Sequence, residues 1–363
     1  MRLFFEIISG KKKGPLFSCI RAVLFLFSLL FSFFVFVRKK LYSFGLRKSY
    51  RPDVVTISVG NITTGGTGKT PFTIFLAEKL SQKVQMAVLI RGYKSRAEHS
   101  IEPIILASQQ KCDVKEVGDE ACLICRKSTH INIYVNKNRA RSAQMAERQG
   151  AECLLLDDGM QHLAIQRDFE IVVVDAKNPF GYGYLLPRGL LREPLSALQR
   201  ADLIVLNRVE QLQDTSKIEN TIRSSSKAPI IKASLAFEGI FDGHGKKQAF
   251  SNAKVALFCG IGNPAAFQEL VRNHGFEVVE ALYLQDHEPV DAKRLIDFSQ
   301  RMRQCGAQAL LCTEKDIVKV SLQDQDIEKL SLPLYFVGVQ LKIVEGEELF
   351  EKFTAEILLS VLY

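Results

Sequence analysis

The sequence predicts an α/β fold, in which helices cover both faces of a mostly parallel sheet, with an apolar helix before it and a smaller α/β unit after it. Three observations support this prediction. From residue 54 onward, short apolar runs alternate with helical segments, as in parallel sheets. One glycine-rich loop lies between a predicted strand and a predicted helix. The first fifty residues differ in composition from the rest of the chain.

The composition of the 363-residue chain is that of a globular protein of about two domains. With 47% hydrophobic and 24% charged residues, it is neither disordered nor collagen-like. The net charge of the chain is +8. Ten basic residues and a single acid, Glu6, lie before residue 50, so the positive charge is concentrated at this end. This basic end favours an anionic membrane surface over nucleic acid as a partner. The eight cysteines form no disulfide or zinc pattern, and Cys122 and Cys125 are interpreted as small helix residues in a reducing compartment.

The apolar segment at 14–37 contains one charge, Arg21. As a helix, residues 22–37 would extend about 24 Å, slightly less than a hydrocarbon core of about 30 Å. A cleaved signal peptide would need small residues after the apolar run, where a basic segment follows instead. A buried core helix would not carry lysine and arginine at both ends. We therefore expect residues 1–50 to be a membrane anchor that either spans the bilayer or lies in its interface.

The predicted elements follow from local patterns. A β-branched strand at 54–60 ends in glycine, and Pro71 opens an amphipathic helix at 71–80. Further strands are predicted at 86–93, 153–159, 169–176, 201–209, 254–262, 276–282, 307–316 and 333–341, and further helices at 139–149, within 210–228 and at 264–274. The polar stretch at 210–228 predicts a boundary between a larger domain at 51–228 and a smaller α/β domain at 229–363.

The glycine-rich loop has the sequence GNITTGGTGKTP at 60–71 and lies between a strand and a helix. This context is typical of a phosphate-binding loop, so the larger domain is predicted to be P-loop NTPase-like. Thr63 stands where the strict motif has its first glycine, which makes this a variant loop; a plain glycine-rich turn is the alternative. The residues expected to bind ATP are Thr63, Thr64, Gly65, Gly66, Thr67, Gly68, Lys69 and Thr70, with the Thr70 hydroxyl also on Mg²⁺.

Paired acids end the strand at 153–159. Asp157 and Asp158 stand where a carboxylate near Mg²⁺ is expected, although turn-forming acids are the alternative. A guanine-specific N-K-x-D motif is missing, because residues 313–316 have a similar composition in a different order. The GTP-binding switch is therefore disfavoured.

Several motifs together resemble the tetraacyldisaccharide 4′-kinase family. They are SVGNITTGGTGKTP (58–71), LIRGYKSR (89–96), VGDEA (117–121), LLLDDGMQH (154–162), LLPRGLLREP (185–194), QDHEP (285–289) and TEKD (313–316). The resemblance implies a Mg²⁺-dependent kinase on the cytoplasmic side of the inner membrane, which uses ATP to phosphorylate the 4′-hydroxyl of a tetraacyldisaccharide 1-phosphate in lipid A synthesis. Departures from the family pattern are Met160, Tyr182, Arg188, Leu191 and Glu288.

The resemblance also assigns residues on the acceptor side. Asp119 is implied to be the base that takes the proton of the acceptor hydroxyl, and His287 its partner across a cleft between the two domains. Arg192 is expected to face the transferring phosphoryl group, and Glu193 the metal ion. Arg91 and Tyr93 are expected to bind the acceptor or its phosphate. Any of these four residues could equally form a structural contact.

The main alternative is a membrane-associated P-loop ATPase that acts as a motor or targeting factor. Such an ATPase needs no pocket for a lipid acceptor, so acceptor-dependent ADP production would distinguish the two. Neither the preferred acyl chains nor the oligomeric state is predicted.

Overall fold

The computed structural model describes residues 2–284, 291–320 and 329–362. The strands are β1 (Val55–Gly60), β2 (Met86–Ile90), β3 (Ile104–Ala107), β4 (Ile131–Val135), β5 (Cys153–Asp157), β6 (Phe169–Asp175), β7 (Leu203–Asn207), β8 (Ile230–Asp242), β9 (Lys247–Gln248), β10 (Lys254–Cys259), β11 (Glu277–Tyr283), β12 (Ala309–Thr313) and β13 (Leu334–Glu345). The helices are α1 (Arg2–Ile8), α2 (Pro15–Ser43), α3 (Lys69–Ser81), α4 (Val114–Val117), α5 (Asp119–Lys127), α6 (Arg139–Arg148), α7 (Ser216–Arg223), α8 (Pro264–Asn273), α9 (Ala292–Gln304), α10 (Glu314–Ile317) and α11 (Glu347–Leu362).

One hydrogen-bonded sheet contains these strands in the order β11-β10-β12-β13-β8-β7-β6-β1-β5-β2-β4-β3, with β9 beside β8. Most neighbouring strands in this sheet run parallel to each other. Antiparallel pairing occurs between β8 and β13, between β3 and β4, and at β9. The predicted α/β fold with a mostly parallel sheet is thus confirmed. The domain limits at 228 and 229 stay a prediction, since β8 and β13 carry the sheet across that point.

The register of the central strands brings their carboxyl ends together. β1 pairs with both β5 and β6, and Val59 lies opposite Asp157. Because parallel strands end at the same edge of a sheet, the loop after β1 and the acids at the end of β5 share that edge. Gly60 permits this arrangement, since a Cβ atom there would lie 2.4 Å from the Met160 Cβ atom.

The last helix, α11, packs against the first half of the chain. Phe350 is 1% exposed and contacts the rings of Phe72 and Phe75 on α3, at centroid distances of 6.2 and 5.5 Å. Phe353 contacts Phe169 on β6. Residues near the end of the chain therefore complete the core beneath α3, whose first residue is Lys69.

The apolar helix α2 is long and apolar enough to cross a membrane, by length and composition alone. It is preceded by the short helix α1, which the sequence pattern did not predict.

Replacing Phe350 with alanine is expected to destabilise the protein by about 3–5 kcal/mol, because the change removes a buried ring and leaves a cavity. Chemical denaturation of the full chain measures the loss. The matched control on the same helix is Leu359→Ala, since Leu359 is 55% exposed and its truncation should have little effect. Equal losses in the two variants would contradict the packing of α11 onto α3.

Candidate active site

The loop after β1 has the backbone shape of a phosphate cradle. Gly65 and Gly68 both adopt positive φ, of 109° and 88°, and Gly68 immediately precedes α3. The Asn207 side chain donates to the carbonyl of Thr67 at 3.0 Å, and a Cβ atom on Gly68 would lie 2.0 Å from the Asn207 amide nitrogen. Asn61 donates to the Thr67 hydroxyl at 3.0 Å. The loop is therefore fixed from the ends of β1 and β7, with its tip exposed.

The other predicted loop residues also lie in this structure. Thr63 pairs with Leu191, and Thr64 donates its backbone N–H to the carbonyl of Leu190 at 2.8 Å. Gly65 and Gly66 are exposed at the tip of the loop. The variant loop is thus joined along one side to residues 190–191, next to Arg192.

Asp158 is the meeting point of the cationic side chains at this edge. Its carboxylate lies 3.4 Å from the Lys69 ammonium and accepts two contacts from Arg192, at 2.9 and 3.0 Å. The buried Arg139 donates to its backbone carbonyl at 3.0 Å. Burial acts to raise the pKa of Asp158, but the charges of Lys69, Arg192 and Arg139 outweigh it and hold this pKa well below its usual value. Asp158 therefore remains an anion that organises three cations.

Asp157 faces the start of α3 instead. Its two oxygens accept from Thr73, at 2.7 Å, and from Thr70, at 3.4 Å. The side chain is 1% exposed, and burial raises the pKa of Asp157, with Thr73 and Lys69 opposing the rise. Glu120 belongs to the same group of charges: burial and the neighbouring Asp157 raise the pKa of Glu120 to about 7. The sequence analysis gave Glu120 no role.

Glu193 is enclosed by cations. Arg200 donates to both of its oxygens, at 2.9 and 3.0 Å, and Lys39 from the end of α2 forms an ion pair with it. Gln161 connects this group to the first one, because it donates to Glu193 at 3.1 Å and accepts from Arg192 at 3.2 Å. Glu193 is thus connected to the Asp158 group through Gln161, and basic side chains contact both of its oxygens.

Asp119 lies at the start of α5, where residues from the second half of the chain reach it. Its carboxylate is 3.6 Å from the Lys315 ammonium and 3.8 Å from that of Lys319. Lys319 is held by the buried Asp316 at 3.2 Å and by the carbonyl of Gly260 at 3.1 Å. Asp316 accepts from the Gly260 N–H and from the Thr313 hydroxyl. The TEKD motif therefore supplies Lys315 itself, and its Asp316 positions Lys319 beside Asp119.

Arg91 and Tyr93 follow β2 and lie beside the start of α5. Two nitrogens of Arg91 contact the same carboxylate oxygen of the buried Glu98, both at 2.8 Å. Tyr93 is 45% exposed, and the Arg91 guanidinium lies 5.6 Å from its ring centre. A Cβ atom on Gly118 would be 3.4 Å from the carbonyl of Tyr93, so this loop and Asp119 are close neighbours.

The structure brings the predicted residues into two adjoining groups, one around Asp158 and one around Asp119. His287 lies outside the described residues. Sequence reasoning missed Gln161, Glu120, Lys319 and Lys39. Gln161 and Glu120 lie inside motifs that were recognised, whereas the roles of Lys39 and Lys319 depend on contacts between distant parts of the chain.

Residues 20–358 match the family model described as tetraacyldisaccharide-1-P 4′-kinase. This chain belongs to the tetraacyldisaccharide 4′-kinase family. The relative from Halothermothrix orenii is 35% identical, over 93% of this chain and 94% of its own length, and the relative from Syntrophotalea carbinolica is 33% identical over 97% of both. Both relatives are named tetraacyldisaccharide 4′-kinase.

A solved kinase of the family has the same fold. The structure of Aquifex aeolicus LpxK in complex with ATP is 27% identical to this chain, with a TM-score of 0.74 over 93% of this chain and 99% of that one. The family predicted from the motifs is therefore confirmed, and so is the fold.

His162, which ends the motif at 154–162, should make stability depend on pH. Burial, followed by the charges of Arg139, Arg167, Arg38 and Arg91, lowers the pKa of His162 to about 3, and its Nε2 atom has no hydrogen-bond partner in the part of the chain that the structure describes. The unfolded chain binds this proton below about pH 6.5 and the folded protein does not, so stability is lost as the pH falls from about 6.5 toward 3.

Between pH 7.5 and 5, the wild type is expected to lose on the order of 1–2 kcal/mol more stability than His162→Gln, which has no group that titrates there. Urea denaturation at a series of pH values measures this difference. Parallel stability curves for the two proteins would show that His162 is protonated equally in the folded and unfolded states.

Proposed function

We propose that this chain transfers the γ-phosphoryl group of ATP to the 4′-hydroxyl of a tetraacyldisaccharide 1-phosphate, a step of lipid A synthesis. Family membership supports the reaction. The observation that carries its assignment to this site is the adjacency of a phosphate loop, clamped by Asp158 and Arg192, to a buried carboxylate, Asp119, flanked by two lysines.

The phosphate loop holds ATP in this proposal. Backbone N–H groups of the loop and the start of α3 face the phosphates, and Lys69 neutralises charge that develops between the β- and γ-phosphates. Arg192 contacts the same Asp158 carboxylate as Lys69 and acts on the transferring group. Phosphoryl transfer depends mainly on positioning and charge neutralisation, so a rigid set of cations is the main requirement.

Mg²⁺ fits the oxygen donors at the start of α3. The Thr70 hydroxyl and the Asp157 carboxylate are 3.4 Å apart, and Asp158 and Glu120 lie nearby. In the part of the chain that is described, no three acidic, histidine or cysteine side chains form a metal site by themselves. This agrees with a Mg²⁺ ion held by one or two carboxylates together with nucleotide phosphates. The ion would supply charge neutralisation for the transferring phosphoryl group. Glu193, enclosed by Arg200 and Lys39, positions Gln161 and Arg192.

Asp119 acts as the base for the acceptor hydroxyl, with His287 as its partner. The carboxylate is 6% exposed and lies beside the loop that carries Arg91 and Tyr93, which are proposed to hold the acceptor. Lys315 and Lys319 fix its position and balance its charge. General-base catalysis of this kind requires the base to lie within hydrogen-bond reach of the proton that it removes.

We propose that α2 attaches the kinase to the inner membrane with the catalytic residues on the cytoplasmic side, where ATP is present. The lipid acceptor would then reach the site from the membrane surface.

A transfer assay with γ-labelled ATP and the lipid acceptor tests the proposed reaction. The label is expected to appear in the lipid only when acceptor, Mg²⁺ and enzyme are all present. ATP hydrolysis that is independent of the acceptor, with no labelled lipid, would support the membrane-associated ATPase instead.

Lys69→Ala is expected to lower kcat by about 10²–10³-fold, since a preorganised charge at the transferring group is lost. Thr70→Ala should instead weaken Mg²⁺ binding, so raising the Mg²⁺ concentration should partly restore its activity and leave Lys69→Ala unrestored. Steady-state rates over a Mg²⁺ titration measure both effects. Equal restoration of the two variants would contradict these roles.

Asp119→Ala is expected to lower kcat by about 10²–10⁴-fold, with the KM for ATP nearly unchanged, because a base on the acceptor side is lost. The double variant with His287→Ala should be little slower than Asp119→Ala alone, as residues that act as a unit are non-additive. Steady-state kinetics of the single and double variants measure this coupling. Two independent, multiplicative losses would contradict the proposed pair.

A further inference from the structure

One face of the anchor helix α2 is partly shielded along the helix, and Ser28 is its one buried residue. Most of the shielded residues lie on this face, namely Phe17, Ile20, Arg21, Leu24, Ser28, Phe31, Ser32, Val35, Lys39 and Tyr42, whereas Val37 and Leu41 lie elsewhere on the helix. On the opposite face, Leu26, Leu30, Phe33 and Phe34 are 51–64% exposed. A helix that crosses a bilayer alone is surrounded by lipid for about 20 residues. The covered stripe on α2 is instead the pattern of a helix that lies on a protein surface with one face toward lipid.

The middle of α2 is hydrogen-bonded to the catalytic part of the chain. The Ser28 hydroxyl donates to the carbonyl of Leu185 at 3.0 Å and accepts from the Arg188 N–H at 3.1 Å. Three residues before Ser28, the ring of Phe25 contacts that of Tyr184 at 6.0 Å. Ser28 is 4% exposed, although it lies in the centre of the apolar run.

The carboxyl end of α2 is attached as well. Arg38 donates to the carbonyl of Gln161 at 3.0 Å, and Lys39 pairs with Glu193. Ser28 and Lys39 are about 16 Å apart along the helix. This half of α2 therefore runs along the catalytic surface and is not available to enter the bilayer end-on.

The preceding helix, α1, returns to the same surface. Arg188 donates to the carbonyl of Ile8 at 2.7 Å, while its guanidinium lies 4.3 Å from the ring centre of Tyr184. Ile7 and Ile8 are 8% and 1% exposed. Arg188 thus contacts both helices, since its backbone N–H donates to Ser28 and its side chain to the end of α1.

The half of α2 that ends at Ser28 is too short to cross a membrane by itself. From Pro15 to Ser28 the helix extends about 20 Å, against a hydrocarbon core of about 30 Å. The turn between the helices carries Lys11, Lys12 and Lys13, and Arg21 donates to the carbonyl of Lys12 at 2.8 Å. If this half entered the bilayer tip first, four cations would lie deep in hydrocarbon, which is costly.

We propose that residues 2–43 form a helical hairpin that lies in the headgroup region of one leaflet, on the same side of the membrane as the catalytic residues, and does not cross the bilayer. The inference rests on the membrane attachment in the proposed function. The exposed apolar face of α2 contacts acyl chains, and the basic turn contacts anionic headgroups.

Protease accessibility of the full chain tests this topology. One cleavable epitope is joined before Met1 and a different one after Tyr363, and membranes are prepared as right-side-out spheroplasts and as everted vesicles. We expect both epitopes to be removed from everted vesicles and neither from spheroplasts. Removal of the first epitope from spheroplasts alone would overturn the hairpin but leave the membrane attachment and the kinase reaction standing. Recovery of the whole protein in the soluble fraction would overturn both hairpin and attachment.

The contact through Arg188 is tested separately by hydrogen exchange on the detergent-solubilised protein. Arg188→Ala is expected to speed amide exchange in α1 by at least tenfold and to leave α11 unchanged. The control is Arg301→Ala, because Arg301 also lies over a ring, that of Phe298, at 5.8 Å but on α9. Unchanged exchange in α1 after Arg188→Ala would overturn the return of α1 to the catalytic surface.

Discussion

The clamp of Asp158 between Lys69, Arg192 and Arg139 determines how the rest of the site is arranged. Each cation comes from a different segment: the phosphate loop, the loop that precedes the turn at 195–200, and α6. Asp158 holds them from the end of β5 with a positive φ of 52°, a conformation that costs energy for a residue with a side chain. The three ion-pair and hydrogen-bond contacts offset this cost. The local backbone strain is therefore found where one carboxylate joins three parts of the chain.

From this clamp, a continuous series of contacts leads to the membrane anchor. Arg192 donates to Gln161, Gln161 donates to Glu193, and Glu193 pairs with Lys39 on α2. Two adjacent basic residues, Arg38 and Lys39, thus contact a glutamine and a glutamate that are themselves hydrogen-bonded. In the sequence, the basic run at 38–40 has the appearance of a headgroup-binding cluster. In the structure, Arg38 and Lys39 contact the Gln161 carbonyl and the Glu193 carboxylate, and Lys40 lies over the rings of Phe36 and Phe44.

Much of the fold could be predicted because buried parallel strands are continuous apolar runs, and β1, β5 and β6 lie inside the segments predicted for them. The phosphate loop and the paired acids were likewise visible, since their chemistry depends on local spacing. The strand β8 was missed because its residues are mostly half-buried and show no continuous apolar run. Helix α11 resembles many amphipathic segments, and only tertiary contacts with α3 reveal its place. The contacts of Glu193 with Arg200 and Lys39 could not be predicted either, because they join distant parts of the chain, and its expected place near the metal stays a prediction.

The charges at the site bear on the Mg²⁺ ion that is proposed to bind there. Lys69, Arg192 and Lys315 already face the carboxylates Asp158 and Asp119. Nucleotide phosphates would therefore compete for cations that have partners, while Asp157 and Glu120 add negative charge close by. Burial is the largest cause of the raised pKa of each of these two acids, and the neighbouring cations do not outweigh it. A cation held by Asp157 and Glu120 would supply positive charge to these buried acids, so that Lys69 and Arg192 would remain for the transferring phosphoryl group.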